Sequence, residues 1–208
     1  MKTFVVGGDT GYARFLENVE LVDKLEDAEL VIFTGGSDVT PSYYGCKEHR
    51  RTYCNPERDA EEKKAFDSIK PEQLVLGICR GSQFLCVMNK GLLVQDCDNH
   101  AIGRTHEITN GEMCYQITST HHQMQYPYNL PKDDYTVLYR SSNLLSNRWE
   151  GDKIDPEEII RNGEPEIVLY HKKGYPKCIA VQGHPEMIPE SPVAKMINEL
   201  VKTTYASK

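Results

Sequence analysis

Long apolar runs are absent from this sequence. A bilayer-spanning helix needs about 20 predominantly apolar residues, and every hydrophobic stretch here is broken by polar or charged residues well before that. No membrane span is expected. An excess of basic charge is also missing: 24 Lys and Arg stand against 31 Asp and Glu, a formal net charge of −7. That balance excludes the broad cationic surface that nucleic-acid binding uses, and the Arg50-Arg51 pair reads as solvated surface. A disulfide framework is lacking, because seven cysteines are an odd number without even spacing. The first eight residues, Met-Lys-Thr-Phe-Val-Val-Gly-Gly, have no signal-peptide core or small-residue cleavage site. Together these point to a reducing, cytoplasmic setting. Cys46, His49 and Cys54 lie close together, but no second Cys or His pair completes a tetrahedral set, so no metal is expected. Cys86, Cys97, Cys114 and Cys178 have apolar neighbours and read as small core residues.

No repeat, low-complexity tract or linker interrupts residues 1–208, which predicts one domain. Within it, short apolar runs alternate with helical patterns. Residues 3–6, 29–34 and 73–78 are nearly continuous in apolar side chains, as strands buried on both faces of a parallel sheet must be. Glycine pairs or a cysteine follow them. Asn55 and Pro56 open a helix predicted to reach about Ile69, with Glu57, Asp59, Glu61 and Glu62 at the positive end of its dipole. Residues 81–88 are helical in pattern, and Asn89-Lys90-Gly91 reads as the stop. Strands are predicted over 114–118, 135–139, 167–171 and 178–182, and a last helix over about 191–203. The alternation predicts an α/β three-layer fold, a mostly parallel central sheet with an antiparallel extension.

The sharpest local signal is Gly77-Ile78-Cys79-Arg80-Gly81. A cysteine between two glycines, after a buried strand and before a helix, is the counterpart of the G-x-S-x-G nucleophile elbow. The tight turn needs small neighbours, and the helix N-terminus favours a thiolate and offers amides to an oxyanion. The alternative is a buried core thiol, the commonest fate of a free cysteine; the strand-turn-helix setting favours catalysis. A thiol hydrolase also needs an imidazole and a group to orient it. Val181-Gln182-Gly183-His184-Pro185-Glu186 supplies both at the end of an apolar strand, with Glu186 able to reach His184 across a turn at Pro185. Read alone, these two are a loop histidine and a helix-start carboxylate. His100, His106 and His171 lack such a setting and read as structural or exposed.

Taken together, these residues resemble the class I glutamine amidotransferase-like superfamily over most of the chain. Residues 77–83 are similar to its nucleophile motif, 181–186 to its His/Glu motif and Gly35-Gly36 to its oxyanion loop. The segment from Gly35 to Gly45, the pair Arg58-Asp59 and Ser119-Thr120-His121-His122-Gln123 resemble the γ-glutamyl-γ-aminobutyrate hydrolase (peptidase C26-like) branch. Gly183 departs from it, standing where a tryptophan is frequent, and Ser82 stands where a larger residue is common. The resemblance implies a flavodoxin-like fold and a Cys79, His184, Glu186 triad working without metal or organic cofactor. It further implies that the amides of Gly36 and Arg80 hold an oxyanion, and that Gln83, Thr120, His121 and His122 contact a small γ-glutamyl substrate.

Three functions remain open at this point. A glutaminase would supply ammonia to a separate synthetase partner. A stand-alone hydrolase would cleave γ-glutamyl amines or peptides. A non-catalytic binding relative would have no need of the full Cys79/His184/Glu186 set. The compact chain and Gly183 tip the reading towards the glutaminase, while residues 36–45 pull towards the hydrolase.

Overall fold

The computed structural model describes residues 1–207. Its first half runs β1 (Lys2–Val5), β2 (Glu20–Leu21), β3 (Leu30–Phe33), α1 (Pro56–Asp67), β4 (Leu74–Ile78) and α2 (Arg80–Met88). Five strands follow: β5 (Leu92–Val94), β6 (Asp96–Cys97), β7 (Ala101–Thr109), β8 (Cys114–Thr120) and β9 (Met124–Tyr126). The chain closes with β10 (Tyr135–Ser141), β11 (Trp149–Glu150), α3 (Pro156–Asn162), β12 (Pro165–Tyr170), β13 (Cys178–Val181) and α4 (Pro192–Ala206). The main sheet has nine strands in the order β2-β1-β3-β4-β13-β12-β10-β7-β8. From β2 to β13 every pairing is parallel, and from β13 outwards to β8 every pairing is antiparallel.

Strand alternation sorts the core into two layers. Leu30, Ile32, Leu74, Leu76, Ile179 and Val181 face one side, against Val193, Ala194, Ile197 and Val201 of α4. Val31, Phe33, Val75, Cys178 and Ala180 face the other, against Phe66 of α1 and Phe84, Leu85 and Val87 of α2. A period-2 strand sends neighbours to opposite faces, so apolar runs without polar gaps are what a sheet sandwiched between helices requires. The result is the three-layer α/β arrangement. No helix of the described residues is long and apolar enough to cross a membrane.

Helix ends follow local chemistry. The Asn55 side chain accepts from Arg58 N at 3.1 Å with Pro56 in the first helical position, and Ser191 caps α4 through Ala194 N at 3.2 Å with Pro192 likewise placed. α2 stops at Asn89, and the left-handed residue after it is Lys90 (φ 74°), whose amide bonds Val87 O while Gly91 N bonds Cys86 O at 2.8 Å.

One cysteine departs from expectation. Cys86, Cys97 and Cys178 are buried, but Cys114 is exposed. It opens β8, the edge strand, next to the hairpin turn from β7, and points to the solvent side while its neighbour Tyr115 packs on the core. His49 pairs with Glu150 at 2.7 Å.

Candidate active site

A single residue, Cys79, joins β4 to α2. Its backbone sits at φ 53° and ψ −112°, a region that side chains other than glycine rarely enter. The turn is so tight that a Cβ on Gly77 would lie 2.5 Å from Gly81 O, and one on Gly81 would lie 2.2 Å from Phe33 O. Both glycines of the elbow are therefore set by close backbone approach. Cys79 N donates to Val181 O at 2.8 Å, which ties the elbow to the end of β13.

β13 pairs with β4 in the register Val181↔Ile78, so the chain leaving it passes beside Cys79. His184 N donates to Thr118 Oγ1 of β8 at 2.6 Å. His184 Nδ1 meets Glu186 Oε1 at 2.6 Å, both groups buried, across the turn begun by Pro185. A carboxylate only accepts, so Nδ1 carries the proton of that bond. The ring and the Cys79 side chain stand on the same side of Gly35, where an added Cβ would lie 3.0 Å from His184 Cε1 and 3.6 Å from Cys79 Cβ. Arg14 Nε donates to Glu186 O and steadies the carboxylate's turn.

Burial by itself would lower the His184 pKa. The hydrogen bonds and charges of Cys79 and Glu186 outweigh burial and push it up to about 10. A raised imidazole pKa adds stability that is complete below the unfolded value of 6.5 and is lost as the pH rises through about 10. The wild type is thus expected to lose thermal stability across that window relative to His184→Asn, measured as melting temperature against pH. Parallel curves for the two proteins would mean that His184 is not held as an imidazolium.

A second wall of the site comes from β3. Past Phe33 the chain enters Thr34-Gly35-Gly36. A Cβ on Gly35 would lie 2.7 Å from Tyr12 Oη and 3.0 Å from His184 Cε1, so this backbone packs directly on the site. Beneath it, Arg58 Nη2 donates to Thr34 O (3.2 Å), Thr34 Oγ1 (3.1 Å) and Gly35 O (3.0 Å), while its Nε reaches Glu62 Oε1 at 2.7 Å. The Arg80 side chain turns away from the site. Its guanidinium binds Asp59 and Glu62 and donates to Ser37 O at 3.2 Å. Asp59 also accepts from Thr40 N at 2.8 Å. This explains a helix whose buried face carries Asp59 and Glu62 beside Phe66. α1 uses its acids to fasten residues 34–40 to the start of α2.

Residues 15–135 match the family model described as peptidase C26, more than half of the chain. The chain belongs to the peptidase C26 family. Its relatives include YvdE, a candidate glutamine amidotransferase-like protein of Lactococcus lactis subsp. lactis (strain IL1403), 40% identical over 174 residues, 80% of this chain and 66% of that protein. The YvdE homologue of Lactococcus lactis subsp. cremoris is 41% identical over 81 residues, 36% of this chain and 38% of its own. The chain spans less than two thirds of the length of either relative. Among solved structures, a candidate GMP synthase component from Thermoplasma acidophilum superposes at TM-score 0.60 with 18% identity, over 100% of this chain and 94% of that one. A glutamine amidotransferase from Thermotoga maritima superposes at TM-score 0.50 with 15% identity, over 98% and 85%. These two likenesses concern the fold.

The C26 match takes in Cys79, the 34–45 loop, Arg58-Asp59 and residues 119–123, and stops short of His184 and Glu186. Of the remaining predicted residues in this C26 chain, Gln83 is buried in α2 and donates to Gln123 O at 2.9 Å. Thr120 is exposed at the end of β8. His121 is buried, with Nδ1 on Gln123 O at 2.9 Å and its ring against His100. His122 is half-buried, with Nε2 3.3 Å from Asp38 Oδ1 and Nδ1 3.4 Å from Asp96 Oδ1. Gln83 and residues 119–123 thus meet through Gln123, and His122 meets the 34–40 loop through Asp38. Tyr12, Arg14 and Thr118 were not singled out in sequence, and Glu62, like Asp59, was read there as a dipole carboxylate, not as a partner of Arg80. The signal for Glu62 as a partner was its i,i+4 spacing from Arg58.

Proposed function

We propose that this protein hydrolyses a γ-glutamyl amide bond through a γ-glutamyl thioester on Cys79. One observation carries the reading: Cys79, held in a left-handed elbow at a helix start, shares the Gly35 wall with an imidazole that Glu186 orients from 2.6 Å. Cys79 Sγ attacks the amide carbon, and the thiol proton resides on His184. His184 delivers that proton to the departing nitrogen as the C–N bond breaks. A water then attacks the thioester carbon, its proton passes to His184, and the free acid leaves as the thiol is restored. The amides of Gly36 and Arg80 would receive the oxyanion at both steps. Gln83, through Gln123, positions residues 119–123, from which His122 and Thr120 would meet the glutamyl end. None of these steps needs a metal or organic cofactor.

The leaving group is assigned as an amine, with the protein acting by itself. The C26 match supports this, covering the 34–45 loop. Gly183 no longer argues the other way. A Cβ there would lie 2.4 Å from Ile117 Cγ1, so its lack of a side chain follows from packing against β8. The ammonia-supplying reading, in which a synthetase is the partner, is the second outcome of the same test. Glutamate release is measured from γ-glutamyl-γ-aminobutyrate and from L-glutamine, and a glutamine-analogue electrophile is mapped by peptide analysis. Turnover of the γ-glutamyl amine with label on Cys79 is expected. Turnover of glutamine alone would move the protein to ammonia supply, and label spread over the other six cysteines would remove Cys79 as nucleophile.

A further inference from the structure

Away from the thiol lies a second group of buried titratable side chains that the proposed chemistry does not use. His106 stands on β7 and Glu166 on β12, while His100 directly precedes β7, His121 follows β8 and Glu164 precedes β12. All five are buried; His100, Glu164 and Glu166 are 0% exposed. Two fully buried carboxylates are costly unless compensated.

Glu164 is well served. It accepts from Leu145 N (2.8 Å), Ser146 N (3.0 Å) and Trp149 Nε1 (3.0 Å), and faces His100 Nε2 at 3.3 Å. Glu166 is not. Its Oε1 lies 2.9 Å from His106 Nε2, 3.2 Å from Ser141 Oγ and 3.6 Å from His100 Nδ1, and its Oε2 has no partner. His121 Nδ1 bonds a carbonyl, which only accepts, so the proton of that ring sits on Nδ1. Its Nε2 is then a bare lone pair, buried and unpartnered. Balancing two carboxylates with protons alone would put charge on two imidazoles. Yet the His100 and His106 rings are 5.3 Å apart and His121 is 4.6 Å from His100. One divalent cation balances both carboxylates and leaves every imidazole neutral.

We propose that His100, His106 and Glu166 bind a zinc ion, beside the unpartnered Nε2 of the His121 ring that packs on His100. The three donor atoms of the trio lie within 4.8 Å of one another. Tetrahedral zinc with bonds of about 2.0–2.1 Å spaces its donors by about 3.3 Å, and the 2.9 and 3.6 Å separations about Glu166 Oε1 bracket that spacing. His100 also has a carboxylate behind it. With Nδ1 on the metal, His100 presents Nε2 to Glu164, the carboxylate–histidine–metal arrangement that fixes a ligand's tautomer. The ion would be structural, pinning β7 to β12.

The test uses the full chain, purified without a polyhistidine tag, with metal content read by mass spectrometry and folding by circular dichroism. About one zinc per chain is expected, falling at least tenfold in folded Glu166→Gln and His106→Asn. Protein stripped by a chelator is then titrated with Co²⁺. Tetrahedral d–d bands saturating at about one equivalent are expected, with a melting temperature roughly 5–10 °C higher when Zn²⁺ is restored. A stripped wild type that takes up neither ion and melts at the same temperature with and without Zn²⁺ overturns the site. So does metal retained in full by both variants, which would place it elsewhere. Should both variants fail to fold, the wild-type titration and melting shift decide alone.

Discussion

Replacing Cys79 with alanine is expected to remove γ-glutamyl amide hydrolysis and leave the fold in place. A nucleophile that acts as a unit with its base costs about 10⁴-fold or more when removed. The fold survives because the elbow is held by backbone. Cys79 N still bonds Val181 O, and the glycines at 77 and 81 still allow the close approach of α2 to β3. The strain at φ 53° also remains in the alanine variant, so relief of strain does not complicate the comparison. Cys79→Gly separates the two effects. It is equally inactive, and it melts above Cys79→Ala because glycine enters that region without a Cβ penalty. The measurement is glutamate release beside melting temperature for all three proteins. An alanine variant keeping more than about a tenth of wild-type turnover would sink the nucleophile assignment.

The second large effect is expected at Arg80, whose side chain never faces the thiol. Arg80→Met keeps the backbone amide proposed for the oxyanion and removes the cation shared by Asp59 and Glu62. Those acids are 0% and 3% exposed, so they are left buried with only Arg58 as a nearby cation. Breaking such a pair from one side typically costs about 3–5 kcal/mol, or roughly 6–20 °C in melting temperature for a chain of this size. Activity falls with it, mostly in kcat, because Ser37 O loses its donor and Asp59, which holds Thr40 N, loses the cation that fixes it against the 34–40 loop. Replacing the acids at the same time, as Asp59→Asn with Glu62→Gln in the Arg80→Met background, should recover a large part of the stability and little of the activity. If Arg80→Met melts within about 3 °C of wild type, the ion cluster is not what holds the loop.

These two predictions divide what was legible in sequence from what was not. The elbow could be read within five residues, because a tight strand-to-helix turn demands glycine on both sides and the demand is local. The role of Arg80 could not. Its position in the motif pointed to a backbone amide, while its side chain completes a buried cluster with residues on α1, 18 and 21 positions away. Strand β7 was missed for a related reason. Its residues 101–105 are exposed, and only His106 and Ile108 turn inwards, so the pattern there carries no apolar run. Cys114 was misjudged because apolar neighbours predict burial only where another layer covers them, and an edge strand has none on that side.

What the sequence determined by itself was whatever a stretch of about ten residues can encode: the doubly buried parallel strands, the capped start of α1, the span of α4, the elbow at Cys79, and the nearness of His184 to Glu186. Only the tertiary structure decided which distant residues meet. The pairing of β13 with β4 brings His184 to Cys79, and Thr118 of β8 takes the His184 amide across 66 positions. The antiparallel extension gathers His100 and His106 at β7 with Glu166 on β12. Local patterns follow from backbone sterics and periodicity, which act between near neighbours. Partner choice follows from sheet order and register, which depend on burying two whole faces at once.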